Sequence, residues 1–142
     1  MPGKTHDHSD RVLDLFLGQT VAGAAATYVN LFTANPAGDG SEGTEWSQAR
    51  VQVYQSGSTP PHWSDKKSEA NKRYVDNVGT ISWTLPEAYT DNETVVGIGI
   101  FSTGTHSQVD TLLYWEALST NRTVAADDEI AFGTGALKVR ED

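Results

Sequence analysis

Two histidines near the start of the chain are the residues best suited to metal chemistry. His6 and His8 stand two residues apart, and Asp7 and Asp10 add carboxylates beside them. Imidazole and carboxylate groups at this spacing could bind a divalent ion. A site on an N-terminal arm must be ordered when the ion binds, however, and that ordering reduces the affinity. We therefore predict neither a metal site nor a cofactor.

The other candidate residues do not form a catalytic motif. His62 and His106 stand alone in loop-like stretches, and the chain has no Gly-x-Ser-x-Gly, no Gly-x-x-x-x-Gly-Lys-Ser/Thr and no His-Glu-x-x-His. The acidic turn at 127–129 lacks the ligand spacing of a calcium-binding loop. Paired carboxylates for glycoside hydrolysis would need a cleft, which sequence does not show. We predict a protein without enzymatic activity and without catalytic residues.

Charge and composition exclude further classes. The 142 residues include 10 Lys and Arg against 19 Asp and Glu, a net charge of −9. Such a surface repels a phosphate backbone, so we predict no nucleic-acid binding. The chain has no cysteine, so disulfides and thiolate metal sites are excluded. The length suits one domain, and we place it at residues 9–142.

The first residues read as an arm followed by a helix. Residues 1–8 lack the apolar run of a secretory signal, and the longest apolar cluster is far shorter than the roughly 20 residues that cross a bilayer. We expect no membrane contact and synthesis in the host cytoplasm. Ser9 as N-cap and Gly18 as C-terminal stop predict one short helix over 11–17. Its apolar residues cover more than one stripe, so it lies across the end of a sheet or against another subunit.

The rest of the chain has the pattern of short strands. Seven runs rich in β-branched and aromatic residues alternate with turn clusters, one of them at 119–122. They cover residues 27–33, 49–54, 79–85, 94–102, 111–117, 129–132 and 136–140. With no helical crossover between them, the strands should pair antiparallel. We predict an all-β fold, an antiparallel β-sandwich or flattened barrel of about seven strands with one short N-terminal helix.

Alternation within three of these runs predicts which residues face the core. The inward residues are Ile81, Trp83, Leu85, Val96, Ile98, Ile100, Leu113, Trp115 and Ala117. Gly97 and Gly99 fall on the face opposite Ile98 and carry no side chain. Two glycines at the same pleat predict a close neighbour or a bulge at that point.

Residues 55–77 interrupt the strand pattern. This long connection holds a Pro60-Pro61 pair, Trp63 and four of the ten basic residues. Trp63 beside the diproline favours an ordered excursion that docks on a partner, with a solvated flexible loop as the alternative. Its positive charge on a negative protein could pair with the acidic surface of a neighbouring subunit.

The order of the strand and turn motifs resembles a known family. The motifs are Leu31-Phe32-Thr33-Ala34-Asn35-Pro36, Ala49-Arg50-Val51, Thr80-Ile81-Ser82-Trp83, Gly97-Ile98-Gly99-Ile100-Phe101, Leu112-Leu113-Tyr114-Trp115 and Ala131-Phe132-Gly133-Thr134-Gly135-Ala136-Leu137. They resemble small tailed-phage virion proteins, commonly labelled tail-fibre-like, minor tail or head-decoration proteins. The resemblance implies a non-enzymatic building block of a bacteriophage particle.

The position of this protein on the particle follows from its shape. The chain has no shaft repeat and no heptads, which favours a compact knob over a long fibre. We expect a capsid decoration or cement protein on the virion exterior, bound to the major capsid protein or other virion proteins and assembled as a homo-oligomer, with a trimer as one option. The alternative is a tail or head appendage that attaches to host-surface carbohydrate, with Trp63, Tyr74 or Tyr89 as stacking platforms. The expected contact residues are Leu13, Phe16, Leu17, Trp63, Lys66, Lys67 and Arg73.

Overall fold

The computed structural model describes residues 3–4, 13, 16–18, 26–106 and 111–141, and within them every bounded element is a strand. The strands are β1 (Gly3–Lys4), β2 (Ala26–Ala34), β3 (Thr44–Glu45), β4 (Val51–Tyr54), β5 (His62–Trp63), β6 (Lys67–Glu69), β7 (Lys72–Val78), β8 (Ile81–Thr84), β9 (Thr94–Phe101), β10 (Leu112–Thr123), β11 (Glu129–Phe132) and β12 (Lys138–Glu141). The prediction of an all-β fold is confirmed.

The strands form two sheets. The large sheet has the order β1-β10-β9-β2-β4-β5-β7-β12, with β3 added to β2 and β6 added to β7. The small sheet pairs β11 with β8. Among the described pairs, β4 and β5 run parallel and the others antiparallel. Neither sheet closes on itself within these residues, so the flattened-barrel alternative is not supported.

Two hydrophobic cores lie on opposite faces of β2 and β9. In the main core, Val29 and Leu31 of β2 pack with Trp46 and with the buried face of β8 and β11. In the second core, Phe32 packs with Phe101, Leu112 and Trp115. Alternation explains the division, because Leu31 and Phe32 are neighbours in one strand and must point to opposite faces.

The predicted strands are all present, but about half of the connection at 55–77 is strand as well. It contains β5, β6 and most of β7, and β7 pairs with the C-terminal strand β12. A tight hairpin joins β6 to β7 through Ala70 and Asn71, whose φ angles of 49° and 64° are left-handed. Such turns usually carry glycine or an Asn-Gly pair, so the sequence lacked the ordinary signal.

The face predictions were right for β8 and only in part for β9 and β10. Ile81, Trp83 and Leu85 are buried, as are Leu113 and Trp115. The remaining predicted core residues are half-buried or, in one case, exposed: Val96, Ile98 and Ile100 are half-buried and Ala117 is exposed.

In β9 it is the glycine face that is buried. A Cβ on Gly99 would lie 2.6 Å from Phe32 Cε2 and 2.9 Å from Leu112 Cδ1, and one on Gly97 would meet the Asn35 side chain. The expected close neighbour is confirmed at both glycines, and Gly99 lets the second core approach the strand. In the partner strand β10, Leu112 and Tyr114 pair with successive residues of β9, so Leu113 is the extra residue of a bulge.

Two further predictions, a turn at 119–122 and a helix over 11–17, need correction. Residues 119–122 are not a turn but lie inside β10, where the register against β9 shifts between Ala117 and Arg122. The short helix predicted over 11–17 is not supported by the described residues. Of that stretch the structure describes only Leu13, Phe16 and Leu17, joined by one backbone hydrogen bond from Leu17 N to Leu13 O at 3.0 Å. The other residues of the predicted helix lie outside the described part of the chain.

Candidate interaction surfaces

One face of β6, β7 and β12 carries much of the positive charge of the chain. Because alternate residues of a strand point to the same side, the register places seven polar side chains together there. This basic face consists of Lys67, Glu69, Lys72, Tyr74, Asp76, Lys138 and Arg140. Its four cations outnumber its two carboxylates, although the whole chain has a net charge of −9.

Ion pairs order the basic face internally. Lys67 Nζ lies 2.8 and 2.9 Å from the two carboxylate oxygens of Asp76. The hydrogen bond from Lys67 lowers the pKa of Asp76, and the same contact raises the pKa of Lys67. Arg140 Nη2 lies 2.8 Å and Lys138 Nζ 3.5 Å from Glu69 Oε2, but these side chains are exposed and such pairs contribute little to stability.

A groove opens beside the C-terminal strand. Five of its lining side chains are half-buried: two come from β9, one from β10, one from the residue before β12 and one from β12 itself. We name it the C-terminal groove, lined by Ile98, Ile100, Tyr114, Leu137 and Val139. Its volume is about 460 Å³, and its lining is completed by Trp115, Glu116, Ala136, Lys138 and Arg140.

The expected contact residues at the N-terminus are exposed. Leu13 is 58% exposed, Phe16 84% and Leu17 73%, which makes them the most exposed large apolar side chains in the described residues. The hydrogen bond from Leu17 N to Leu13 O sets them within one turn of backbone. We name these three residues the exposed apolar turn. Large apolar side chains exposed close together make this turn a candidate contact surface.

The expected contact residues of the 55–77 segment divide into two groups. Lys66, Lys67 and Arg73 are exposed at the β6–β7 hairpin. Trp63 is instead half-buried against the main core, and its Nε1 donates to Thr27 Oγ1 at 2.7 Å. Trp63 therefore anchors its own segment to β2, and its expected role as a contact residue stays a prediction.

Sequence reasoning missed the residues that β12 adds to this surface. Lys138 and Arg140 are sixty and more positions from the hairpin, yet β12 pairs with β7 and brings them beside Tyr74. Lys138 Nζ lies 5.0 Å and Arg140 Cζ 5.9 Å from the centre of the Tyr74 ring. The alternation of Lys138, Val139 and Arg140 was the available signal, since it predicts a strand with one charged face.

The three aromatic residues considered for sugar stacking are engaged within the domain. Trp63 packs on the main core, and the half-buried Tyr74 ring lies under the cations of the basic face. Tyr89 is half-buried and donates from its hydroxyl to Glu93 Oε2 at 2.7 Å. Burial raises the pKa of Tyr89, in keeping with a phenol held inside the fold. None of the three is among the large apolar side chains that the described residues expose.

The described residues present no assembly suited to metal chemistry. They hold no group of three His, Asp or Glu side chains that could bind an ion. His62 Nδ1 lies 2.8 Å from the Trp63 carbonyl oxygen and His106 Nε2 lies 2.5 Å from the Trp46 carbonyl oxygen. His6 and His8 lie outside the described residues. In the same part of the chain, no helix has both the length and the apolar character required to span a bilayer.

Comparison with known proteins identifies one family. The sequence model of the family described as Podophage GP4 fiber I protein gp80 matches residues 5–140, which is nearly the whole chain. Among curated proteins no match is found. The match confirms the resemblance to tail-fibre-like virion proteins of phages.

Proposed function

Because the chain belongs to the family of podophage GP4 fiber I proteins, we propose that it is a non-enzymatic structural component of a virion fibre that works through protein contacts. Capsid decoration, the role expected from the compact shape, falls in the same class of virion structural proteins. The family description supports the fibre role, which was the alternative. The engaged positions of Trp63, Tyr74 and Tyr89 give no support to a stacking site for host sugars.

The exposed apolar turn carries this proposal. Leu13, Phe16 and Leu17 expose more than half of their surface, and transferring such side chains out of water contributes about 1.5–3 kcal/mol each. A protein that keeps them exposed gains that free energy only when a partner covers them. The turn is therefore the contact by which the chain is held in the particle.

Substitution of the turn tests this role in assembled phage. We expect Phe16→Asp to leave the purified protein folded, because the side chain is 84% exposed, and to remove the protein from particles. The measurement is the amount of this chain per particle by quantitative mass spectrometry, with circular dichroism of the purified variant as the folding check. Phe16→Ser serves as a milder variant should the aspartate perturb folding.

Tyr54→Asp is the matched control. Tyr54 is the other exposed large apolar residue of the described chain, 38% exposed and on β4, so its substitution adds the same charge elsewhere. We expect this variant to be incorporated normally. Normal incorporation of folded Phe16→Asp would show that the turn is not the contact.

The copy number in wild-type particles separates the fibre role from the decoration role. A fibre component should be far scarcer than the major capsid protein, whereas a decoration protein should be present in comparable amounts. The same mass spectrometry measures this ratio. A copy number close to that of the capsid protein would replace the fibre role with decoration.

A further inference from the structure

We propose that the basic face of one copy of this chain binds an acidic surface at the loops 85–93 and 124–129 of a second copy. We name these two loops the acidic end. Its exposed carboxylates are those of Glu87, Asp91, Asp127 and Glu129. The inference goes beyond the proposed function, because it concerns a contact between copies that does not involve the exposed apolar turn. Two different surfaces on each copy form a heterologous contact, which joins copies head to tail in a ring or a row.

The basic face presents an excess of positive charge on the outer side of its sheet. Lys138 and Arg140 are both exposed and share one carboxylate, that of Glu69, at 3.5 and 2.8 Å. Val139 lies between them in β12 and points to the other side, into the C-terminal groove. The cations of the basic face therefore point away from the groove and towards solvent, where the carboxylates of a partner can reach them.

Contacts within the basic face hold these cations in position before a partner binds. Lys138 Nζ lies 5.0 Å and Arg140 Cζ 5.9 Å from the centre of the Tyr74 ring. Arg140 Nη2 also donates to Glu69 Oε2 at 2.8 Å. Side chains that are already positioned lose less conformational entropy when a partner binds. The face therefore presents a defined arrangement of charge.

The acidic end brings together two loops that are distant in sequence. Leu85 N donates to the Asp128 carbonyl oxygen, and Val124 N donates to the Glu93 carbonyl oxygen, both at 2.9 Å. Together the two loops hold six carboxylates and no Lys or Arg. Arg122 lies beside them and donates to a backbone carbonyl oxygen of the second loop at 2.9 Å, but the six carboxylates outnumber it. The acidic end is therefore opposite in charge to the basic face.

The distribution of charge favours a second copy of this chain as the partner. The basic face contributes +2 to a total of −9, so the rest of the chain carries −11. Whole copies repel each other at long range, but salt at physiological strength screens charges over about 8 Å. At contact distance the opposite surfaces decide the interaction, and they orient one copy on the next.

Charge reversal on each surface tests the contact in the full-length chain. By sedimentation velocity, we expect Arg140→Glu and Glu129→Arg each to weaken self-association about tenfold or more. Arg73→Glu is the matched control, since Arg73 is exposed on β7 and its neighbour Tyr74 points to the opposite side of the sheet. The control makes the same change in charge and should alter association by less than about twofold. An equal loss in the control would overturn the proposal.

A mixture of the two reversed variants distinguishes direct pairing from a general effect of charge. Arg140→Glu protein has a more acidic face, and Glu129→Arg protein has a less acidic end, so each complements the other. We expect the mixture to associate within about threefold of wild type, while each variant alone associates weakly. A mixture that associates no better than the separate variants would overturn the proposal. Circular dichroism checks folding, and Arg140→Gln and Glu129→Gln replace the reversed variants in the first measurement if folding is lost.

Salt dependence separates this contact from an apolar one. We expect association of the wild-type chain to weaken about fivefold or more when NaCl is raised from about 50 to about 500 mM. Association that is unchanged or stronger in salt, or a wild-type chain that stays monomeric at about 100 μM, would overturn the inference. The proposed function fails separately, because its test is the incorporation of Phe16→Asp protein into particles and not the association of the purified chain.

Discussion

Gly99 of β9 lies directly against the second core. Phe32 and Leu112 fill the space that a side chain on Gly99 would occupy. Phe32 and Leu112 are fully buried, and β2 and β10 hold their backbones on either side of β9. A methyl group at Gly99 must therefore displace packed side chains.

We expect Gly99→Ala to lower the free energy of unfolding by about 1–3 kcal/mol, the usual cost of overpacking a core. Gly38→Ala is the control, because Gly38 has open space around its Cα and is exposed. Urea denaturation of both variants measures the difference. A Gly99→Ala protein as stable as Gly38→Ala would show that the second core accommodates the added methyl group at little cost in stability.

Arg50 and Glu45 form a buried ion pair that nothing in the sequence indicates. Arg50 Nε and Nη2 lie 2.8 and 2.9 Å from the two carboxylate oxygens of Glu45, and both side chains are almost fully buried. Asn30 Nδ2 donates to the same carboxylate at 2.7 Å. The guanidinium also lies 3.6 Å from the centre of the Phe101 ring, so the pair links the polar network to the second core.

We expect Arg50→Met to cost about 3–5 kcal/mol, because it leaves the Glu45 carboxylate buried without its cation. Arg122→Met is the control, since Arg122 is exposed and donates to the Glu129 carbonyl oxygen. Its cost should be within about 1 kcal/mol. The free energy of unfolding in urea compares them, and similar values for both would contradict a buried role for the pair.

At the scale of elements, an ion pair joins β6 to β7 in addition to their backbone pairing. Lys67 on β6 reaches Asp76 on β7, and Asp76 is buried while Lys67 remains half in solvent. The pKa of Asp76 is lowered, so its contribution to stability is complete above its unfolded value and is lost as the pH falls through its folded value. The pKa of Lys67 is raised, so its contribution is complete below its unfolded value and is lost at high pH.

We expect Asp76→Asn to reduce the loss of stability that wild type shows when the pH falls from 5 towards 2. The reason is that the variant has no carboxylate to protonate at this position. Urea midpoints at several pH values measure the slope. In a Lys67→Met background the same substitution should change the slope much less, and an equal change in both backgrounds would show that Lys67 is not the cause.

At the scale of the whole molecule, the two cores share the strands β2 and β9 and cannot be separated. Val29 and Leu31 belong to the main core and Phe32 to the second, although they lie within four residues. β2 and β9 pair over five residues, Tyr28 to Phe32 against Gly97 to Phe101. Loss of either core removes the support from one face of the strands on whose other face the second core packs.

We therefore expect one cooperative unfolding transition. Leu31→Ala in the main core and Leu112→Ala in the second should each lower stability by about 2–5 kcal/mol and keep a single transition. Tryptophan fluorescence reports on both cores, since Trp46 and Trp83 lie in the first and Trp115 in the second, and circular dichroism reports on the strands. Transitions that separate between the two probes would show independent cores.

The sequence by itself determined the all-β class, the positions of seven strands and the close approach at Gly97 and Gly99. These are local properties, because alternation and turn residues act over a few positions. Only the tertiary structure decided that residues 55–77 form strands, since the hairpin at Ala70 and Asn71 is held by pairing with β12. It also decided which face of β9 is buried and that Arg50 meets Glu45. Such pairings join residues far apart in the chain, and no local pattern specifies them.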